Sequence, residues 1–327
     1  MALSNSNGPS GNPSRKPSLF TDRRVVILLA TIVAIVGYFS FQSWQSSANR
    51  EIARSKLLLG AASALQEPSP DLDDLSEWMA KLKRLPDSSV AADILAVRAG
   101  IELARGKPEK ADDLFGAIAS GPGALPSDQR LGSRILLAKH EGFGGDVVLA
   151  NTMLQQAQSM AKAAYADSGD VADLFRAWLA SIRLWDPSAS DLAKQLKAAH
   201  ADSPENRMVE LNADFQPMRD QSKIDDLMVD FVKPPAELGA MKTLILLEGG
   251  DIAGALESAE GHANQSPGVQ GVRLIAAFVL HGCALGSPEG SADRAGFMRR
   301  RNVHLDWLDQ RAPVGQARPW DQMRKAR

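Results

Sequence analysis

The apolar positions of this chain follow two different patterns. From Val25 to Phe41 they run almost unbroken, VVILLATIVAIVGYFSF directly after Arg23-Arg24, and no charge occurs from Val25 through Asn49. Beyond Arg50 apolar residues recur at helical spacing in stretches dominated by Ala, Leu, Lys, Glu and Gln, all good helix formers. Only two Tyr occur, and no sustained alternation of Val, Ile and Thr marks a strand. The pattern predicts an all-α fold: an N-terminal single transmembrane helix followed by a domain of helical hairpins.

Breakers divide the second region at Glu67-Pro-Ser-Pro, Pro86-Asp, Gly106-Lys-Pro, Gly121-Pro-Gly, Gly142-Phe-Gly-Gly, Asp186-Pro-Ser, Asp202-Ser-Pro, Pro234-Pro, Gly249-Gly-Asp, Ser266-Pro-Gly and Gly286-Ser-Pro. The segments between them are mostly of helix length, about three to five turns. Three of these turns are internally similar. Gly106 is followed five positions later by Ala111, Gly145 by Ala150 and Gly250 by Ala255. One turn further on stand Phe115, Leu154 and Ala259. Seven positions before each glycine comes a small residue, Ala99, Ala138 or Thr243. Leu192, Leu196, Ala199 and Pro204, preceded by Ala180, give a degenerate fourth copy. Small residues at these places let two antiparallel helices approach closely, and the larger ones fill the next layer.

These positions, from about Val90 to Pro267, resemble the tetratricopeptide repeat, with its small residue in a first helix, turn glycine, Ala-x3-Phe in a second helix and closing proline. The layout as a whole is similar to the YfgM family of bacterial inner-membrane proteins. The matching features are Gly37-Tyr38, Trp44, the Ala/Arg/Ser-rich segment after it, and Ala91 through Phe115. That resemblance implies a single-pass envelope protein that works with the Sec translocon and periplasmic chaperones. Residues 170–327 have no clear counterpart in it.

The apolar segment of 17 residues spans about 25 Å as a helix, and Tyr38, Phe39, Phe41 and Trp44 extend it at the end where an aromatic belt sits. Residues 1–22, rich in Ser, Asn, Gly and Pro, are expected to be a disordered cytoplasmic tail. Residues 23–44 are expected to be a signal anchor, with 45–285 the helical-repeat domain and 286–327 a basic C-terminal helix and extended tail. Cleavage near Ser46 and Ala48 is the competing reading, but these lie well past the apolar core. Ala30, Ala34 and Gly37 form a small-residue face that could pack on another span.

Charge adds an orientation. The formal net charge of -2 is unevenly spread. Residues 1–24 hold four Lys/Arg against one Asp, and the segment from Arg294 holds nine against three, leaving -11 for the body between. Arg15, Lys16, Arg23 and Arg24 precede the span, so the positive-inside rule puts the N-terminus in the cytoplasm and the body outside. Protein or peptide partners are then expected, with membrane contact through residues 25–41, and nucleic acid is not.

Candidate chemistry is sparse. G-x-S-x-G, a phosphate-binding loop and H-E-x-x-H are all absent. Lone Cys283 permits no intramolecular disulfide and reads as a small buried hydrophobe. His140, beside Glu141, reads as a cation at a helix C-terminus. Asp71, Asp73, Asp74 and Glu77 read as the charged start of a helix, and Asp225, Asp226 and Asp230 as a solvated face. Arg299-Arg300-Arg301, Trp307 and Arg318-Pro-Trp320 are expected to dock on the acidic body or on a partner. No catalytic, cofactor or metal site is expected. An α/α-scaffold enzyme would need convergent carboxylates, for instance among Glu77, Asp173 and Asp226; a structural subunit of a membrane complex is a further alternative.

Overall fold

The computed structural model describes residues 52–65, 71–84, 92–119, 126–213, 221–231, 233–312, 318 and 320–325. The expected tail, the apolar span and its Ala30/Ala34/Gly37 face lie outside these residues. Among the described residues no helix is long and apolar enough to cross a membrane. The chain divides into two compact units, Met1–Leu57 and Leu58–Arg327. Of the first, residues 52–57 are described, and they are helical.

The second unit is helical throughout its described residues. After α1 (residues 58–65) come α2 (Leu72–Lys83), α3 (Ala92–Ala104), α4 (Pro108–Ala119), α5 (Pro126–Gly142), α6 (Val147–Ser168), α7 (Val171–Leu184) and α8 (Ser188–Ala199). Then follow α9 (Pro204–Ala213), α10 (Gln221–Asp230), α11 (Ala236–Glu248), α12 (Ile252–Gln265), α13 (Gln270–Gly286), α14 (Ala292–Arg311) and the short α15 (Asp321–Lys325).

Aspartates start many of these helices. Asp71, Asp146, Asp170 and Asp251 each accept a hydrogen bond from a backbone N–H in the first turn, at 2.8 to 3.0 Å. Such caps satisfy donors that have no partner within the helix. The break between α6 and α7 is a left-handed Gly169, whose N–H donates to Tyr165 O at 2.8 Å. It is a glycine C-cap.

Each helix from α2 to α14 packs on the next. In addition, α3 touches α5, α5 touches α7, α7 touches α9, and α11 touches α13, while even-numbered helices make no comparable contacts with one another. The odd-numbered helices therefore form an inner layer and the even-numbered ones an outer layer. The small residues at repeat positions sit where the layers meet: Ala99, Ala111, Ala150, Thr243, Ala255 and Ala259 are all buried. Ala138 is only half-buried. The largest core cluster runs from α6 to α11, with Phe175 stacked between Trp178 and Phe231 at ring separations of 5.4 and 5.5 Å. A second, built largely of Ala and Val and including Cys283, joins α11, α12 and α13.

The C-terminal helices return to the middle of the chain. Gly268 N–H donates to Glu141 O at 3.0 Å, and Trp307 Nε1 donates to Gly144 O at 3.3 Å. Arg311 Nη2 donates to Gly145 O at 2.5 Å. The stretch expected to be an extended tail folds back instead, as far as it is described. Trp320 is fully buried against Trp185, and its Nε1 donates to Asp309 at 2.8 Å. Arg318 and Arg324 pair with the same aspartate at 3.0 and 2.6 Å. Carboxylates of α14 itself, rather than the acidic body, thus hold this end, while Arg300 alone among these arginines reaches Glu260 on α12. Burying an indole outweighs the entropy of ordering so short a segment.

Gly268 marks how close this return is. A Cβ there would stand 1.8 Å from His140 O and 2.8 Å from Phe143 O, both main-chain atoms that cannot step aside. Gly268→Ala is expected to cost at least about 1–3 kcal/mol in urea unfolding followed by far-UV circular dichroism. Gly261→Ala, where a Cβ meets open space on α12, should instead stabilise by up to about 1 kcal/mol. Equal effects from the two substitutions would refute the close approach at Gly268. Trp320→Ala should cost about 3–5 kcal/mol, in the range of a buried core aromatic and far above a tail residue.

Candidate functional site

Charged groups are concentrated on the inner layer, at two places along α5 and α7. At the C-terminal ends of both helices lies Arg183, with only 2% of its side chain exposed. Its Nε and Nη2 donate to the two oxygens of Glu237 on α11, at 2.8 and 2.9 Å, and Nη2 also reaches Glu141 on α5 at 3.1 Å. Burial disfavours the Arg183 charge, but the two carboxylates outweigh it and hold the guanidinium firmly protonated. Burial likewise works against the Glu237 carboxylate, and Arg183 overrides it and lowers the acid's pKa. The pair is bidentate and desolvated, the geometry in which an ion pair is strongly coupled. It joins three inner helices, α5, α7 and α11.

His140 stands next to this group, 1% exposed, with no hydrogen-bond partner at Nδ1. Burial, then the charges of Arg183 and Arg311, push its pKa down to about 3. The expected helix-terminal cation is therefore a neutral imidazole, because two arginines and the surrounding protein exclude its proton. His304 on α14 is similar. Arg273 Nη1 donates to its Nδ1 at 3.1 Å, and burial with that neighbouring charge lowers its pKa to about 4. Trp307 lies between Arg311 and Arg273, whose guanidinium carbons are 3.7 and 5.2 Å from a ring centroid, a cation–π arrangement.

The second concentration lies at the N-terminal ends of α5 and α7. Asp173 is fully buried. Its Oδ2 accepts from Arg130 Nε at 2.9 Å, from Arg130 Nη2 at 2.7 Å and from Ser168 Oγ at 3.2 Å. Its Oδ1 accepts from Arg176 Nη1. Arg130 also pairs with Asp170 at 3.0 Å. Arg134, one turn after Arg130, has no hydrogen-bond or ion-pair partner among the described residues, although its side chain is exposed. Its guanidinium is disfavoured first by the protein around it and then by Arg130, with Asp173 opposing.

No family model, curated protein or solved structure matches this chain. The site is therefore read from its own geometry.

The three carboxylates singled out from the sequence do not converge. Glu77 is on an exposed face of α2, paired with Lys81 at 2.7 Å. Asp226 is exposed on α10, beside Asp225, which pairs with Lys242, and Asp230, which pairs with Arg207. Only Asp173 is buried, and arginines surround it. A groove of about 320 Å³ between α6, α7 and α8 is lined by Lys162, Tyr165, Ser188, Asp191 and Gln195, with a single carboxylate. Among the described residues no three His, Cys, Asp or Glu side chains are grouped so as to hold a metal. The acidic group from Asp71 caps and charges the start of α2, as expected. Gly142-Phe-Gly-Gly-Asp is the α5–α6 turn.

Sequence reasoning passed over Arg130, Arg134, Arg176 and Arg183. A signal was present: Arg176 and Arg183 interrupt the apolar run LFRAWLASIRLW seven residues apart, on one helix face. A charge inside such a run needs a partner or a ligand.

Two measurements follow. Arg183→Met leaves Glu237 buried without its partner and is expected to cost about 3–5 kcal/mol; Arg183→Met with Glu237→Leu should recover much of that loss. A double variant as unstable as the single one would show that the ion pair is not the coupling. The histidines predict acid sensitivity. Their folded pKa values lie below the ordinary 6.5, so above pH 6.5 they contribute no pH dependence. As pH falls below 6.5 the unfolded chain takes up these protons and the folded chain does not. Stability should then fall by about 1.4 kcal/mol per pH unit for each histidine, levelling near pH 4 for His304 and near pH 3 for His140. His304→Gln should flatten the slope of stability between pH 6.5 and 4 relative to the parent chain.

Proposed function

We propose that this chain is a membrane-anchored helical-repeat scaffold, tetratricopeptide-like in its hairpins, that binds protein or peptide partners on its odd-numbered helices. The observation that carries this reading is the contact pattern of the layers: α3, α5, α7 and α9 touch in series and α11 touches α13, while even helices make no comparable contacts with one another. Stacked hairpins of that kind offer one continuous surface to an extended or helical ligand. The burial of Ala111, Ala150 and Ala255, five residues after their turn glycines, supports the repeat assignment. Gly142–Asp146 and Gly249–Asp251 separate successive helices, in keeping with it.

The anchor and its orientation rest on the uncharged apolar run from Val25 and the cations before it. With the similarity to the YfgM layout, they support a body on the extracytoplasmic side of a bacterial inner membrane and a role in envelope assembly or quality control.

The test is site-specific photo-crosslinking of the full chain in membranes. A crosslinkable residue at Gln129, an exposed position on inner helix α5, should give discrete adducts with other proteins. One at Lys194, an exposed position on outer helix α8, should not. Adducts at both positions alike, or at neither, would rule out the inner layer as the partner surface. Alkaline extraction should leave the chain in the membrane fraction.

A further inference from the structure

We propose that the guanidinium cluster of Arg130, Arg134 and Arg176 is a recognition site for the carboxylates of an acidic peptide segment. The inference rests on the scaffold reading and names the chemistry of its ligand.

The argument begins with the balance of charge. Arg130 and Arg176 pair with two carboxylates, Asp173 and Asp170, and Arg134 is a third guanidinium within reach of their charge. Both oxygens of Asp173 are already engaged, Oδ2 by Arg130 and Ser168 and Oδ1 by Arg176. Asp170 is in part committed elsewhere, since its Oδ1 caps α7 by accepting from Ala172 N–H at 3.0 Å. The cluster keeps one positive charge in excess, and the whole Arg134 fork, five N–H donors, is unused. The neighbouring group at Arg183 is the opposite case: there one guanidinium faces two carboxylates, and its charge is compensated within the protein.

The position fits a ligand as well as the charge does. Asp173 is fully buried and fixes both Arg130 and Arg176, so two of the three forks are pre-oriented at little further entropic cost. Arg134 follows Arg130 by one helical turn and therefore stands on the same face of α5. All three belong to the odd-numbered layer.

The ligand class follows from what the site lacks. It is open to solvent at Arg134, and an isolated exposed ion pair contributes little. A free small anion is therefore held weakly, whereas a peptide adds contacts along the layer. A nucleic-acid backbone carries charge along its whole length, whereas the excess here is a single positive charge that one or two carboxylates satisfy. A short acidic segment needs only the local positive cluster. Arginine forks match carboxylates bidentately.

The test uses the full chain in nonionic detergent and fluorescence anisotropy with a labelled oligoglutamate peptide. Oligolysine and Gly-Ser peptides of equal length, inorganic phosphate and single-stranded DNA serve as competitors. Saturable binding of oligoglutamate is expected, weakened by salt and displaced by unlabelled oligoglutamate far better than by phosphate or DNA. Arg134→Ala should reduce the affinity about tenfold, the loss of one charge-assisted contact, and Arg134→Lys by less. Because Arg134 has no partner among the described residues, its variants should melt as the parent does. Arg299→Ala removes an exposed arginine on α14 and should leave binding unchanged. Absence of oligoglutamate binding overturns the proposal. Equal losses from Arg134→Ala and Arg299→Ala, or equal competition by DNA or phosphate, do so as well. If inner-layer crosslinks persist unchanged in Arg134→Ala, this inference fails while the scaffold reading stands.

Discussion

Arg183 has lost nearly all contact with water, and that single desolvated charge constrains everything around it. A guanidinium in such a place is tolerated only with carboxylates in register, and the two that serve it come from Glu141 and Glu237, 42 and 54 residues distant in the chain. Their helices, α5 and α11, must therefore meet α7 at one point. The consequences extend outwards. With α11 fixed, the turn before α13 falls against the end of α5, where only a glycine at position 268 fits. Gln270 Nε2 then donates to the Arg183 carbonyl, so the same residue is held by its backbone as well as by its side chain. Helix α14 lies over that junction, and Trp307 and Arg311 reach the α5–α6 turn. Neutral His140 is a by-product: no proton is accommodated beside Arg183 and Arg311.

The two charged groups on α5 and α7 share residue types and differ in stoichiometry. That difference separates a structural role from a recognition role. Where carboxylates outnumber guanidiniums, the charge is compensated within the protein, Nε and Nη2 of Arg183 both finding carboxylate oxygens, and the result is a junction that resists opening. Where guanidiniums outnumber carboxylates, donors remain, and what satisfies them must come from water or from another molecule. Because each helix end supplies one group, the spacing between them is fixed by the length of α7 itself. Binding at one end would leave the junction at the other undisturbed, as a rigid scaffold requires.

What the sequence made legible was local. The helix start at Asp71 was readable, because a cap acts within three residues. The buried alanines after Gly106, Gly145 and Gly250 were readable, because helix pairing within one hairpin depends on a short stretch of chain. The all-helical character followed from the same local preferences. The α6–α7 break was missed because a lone Gly169 in a helix-forming context carries little signal without its αL geometry. The C-terminal return was misjudged for a different reason. Pro313, Gly315 and Pro319 argue for an extended tail, and only the packing of Trp320 against Trp185 and its bond to Asp309 give it a reason to turn back. His140 was misassigned because its charge state depends on Arg183 and Arg311, neither of which is near it in sequence.

The pairing of long-range charges explains why the candidate site was the least legible part. A surface arginine and a buried one look alike as letters, and pattern reading treats both as solvated until an apolar context contradicts it. That contradiction was present around Arg176 and Arg183, within LFRAWLASIRLW, but it identifies a need and not the residue that meets it. Asp173 could be named in advance only as a carboxylate that might join others. Three residues separate it from Arg176, and 43 separate it from Arg130; only the stacking of α5 on α7 turns those two distances into one cluster. The same stacking removes Asp173 from water and so makes it an organiser of arginines instead of a general acid or base. A carboxylate committed to two guanidiniums and a serine is held as their counter-ion, but the guanidiniums it holds in place do have donors to offer.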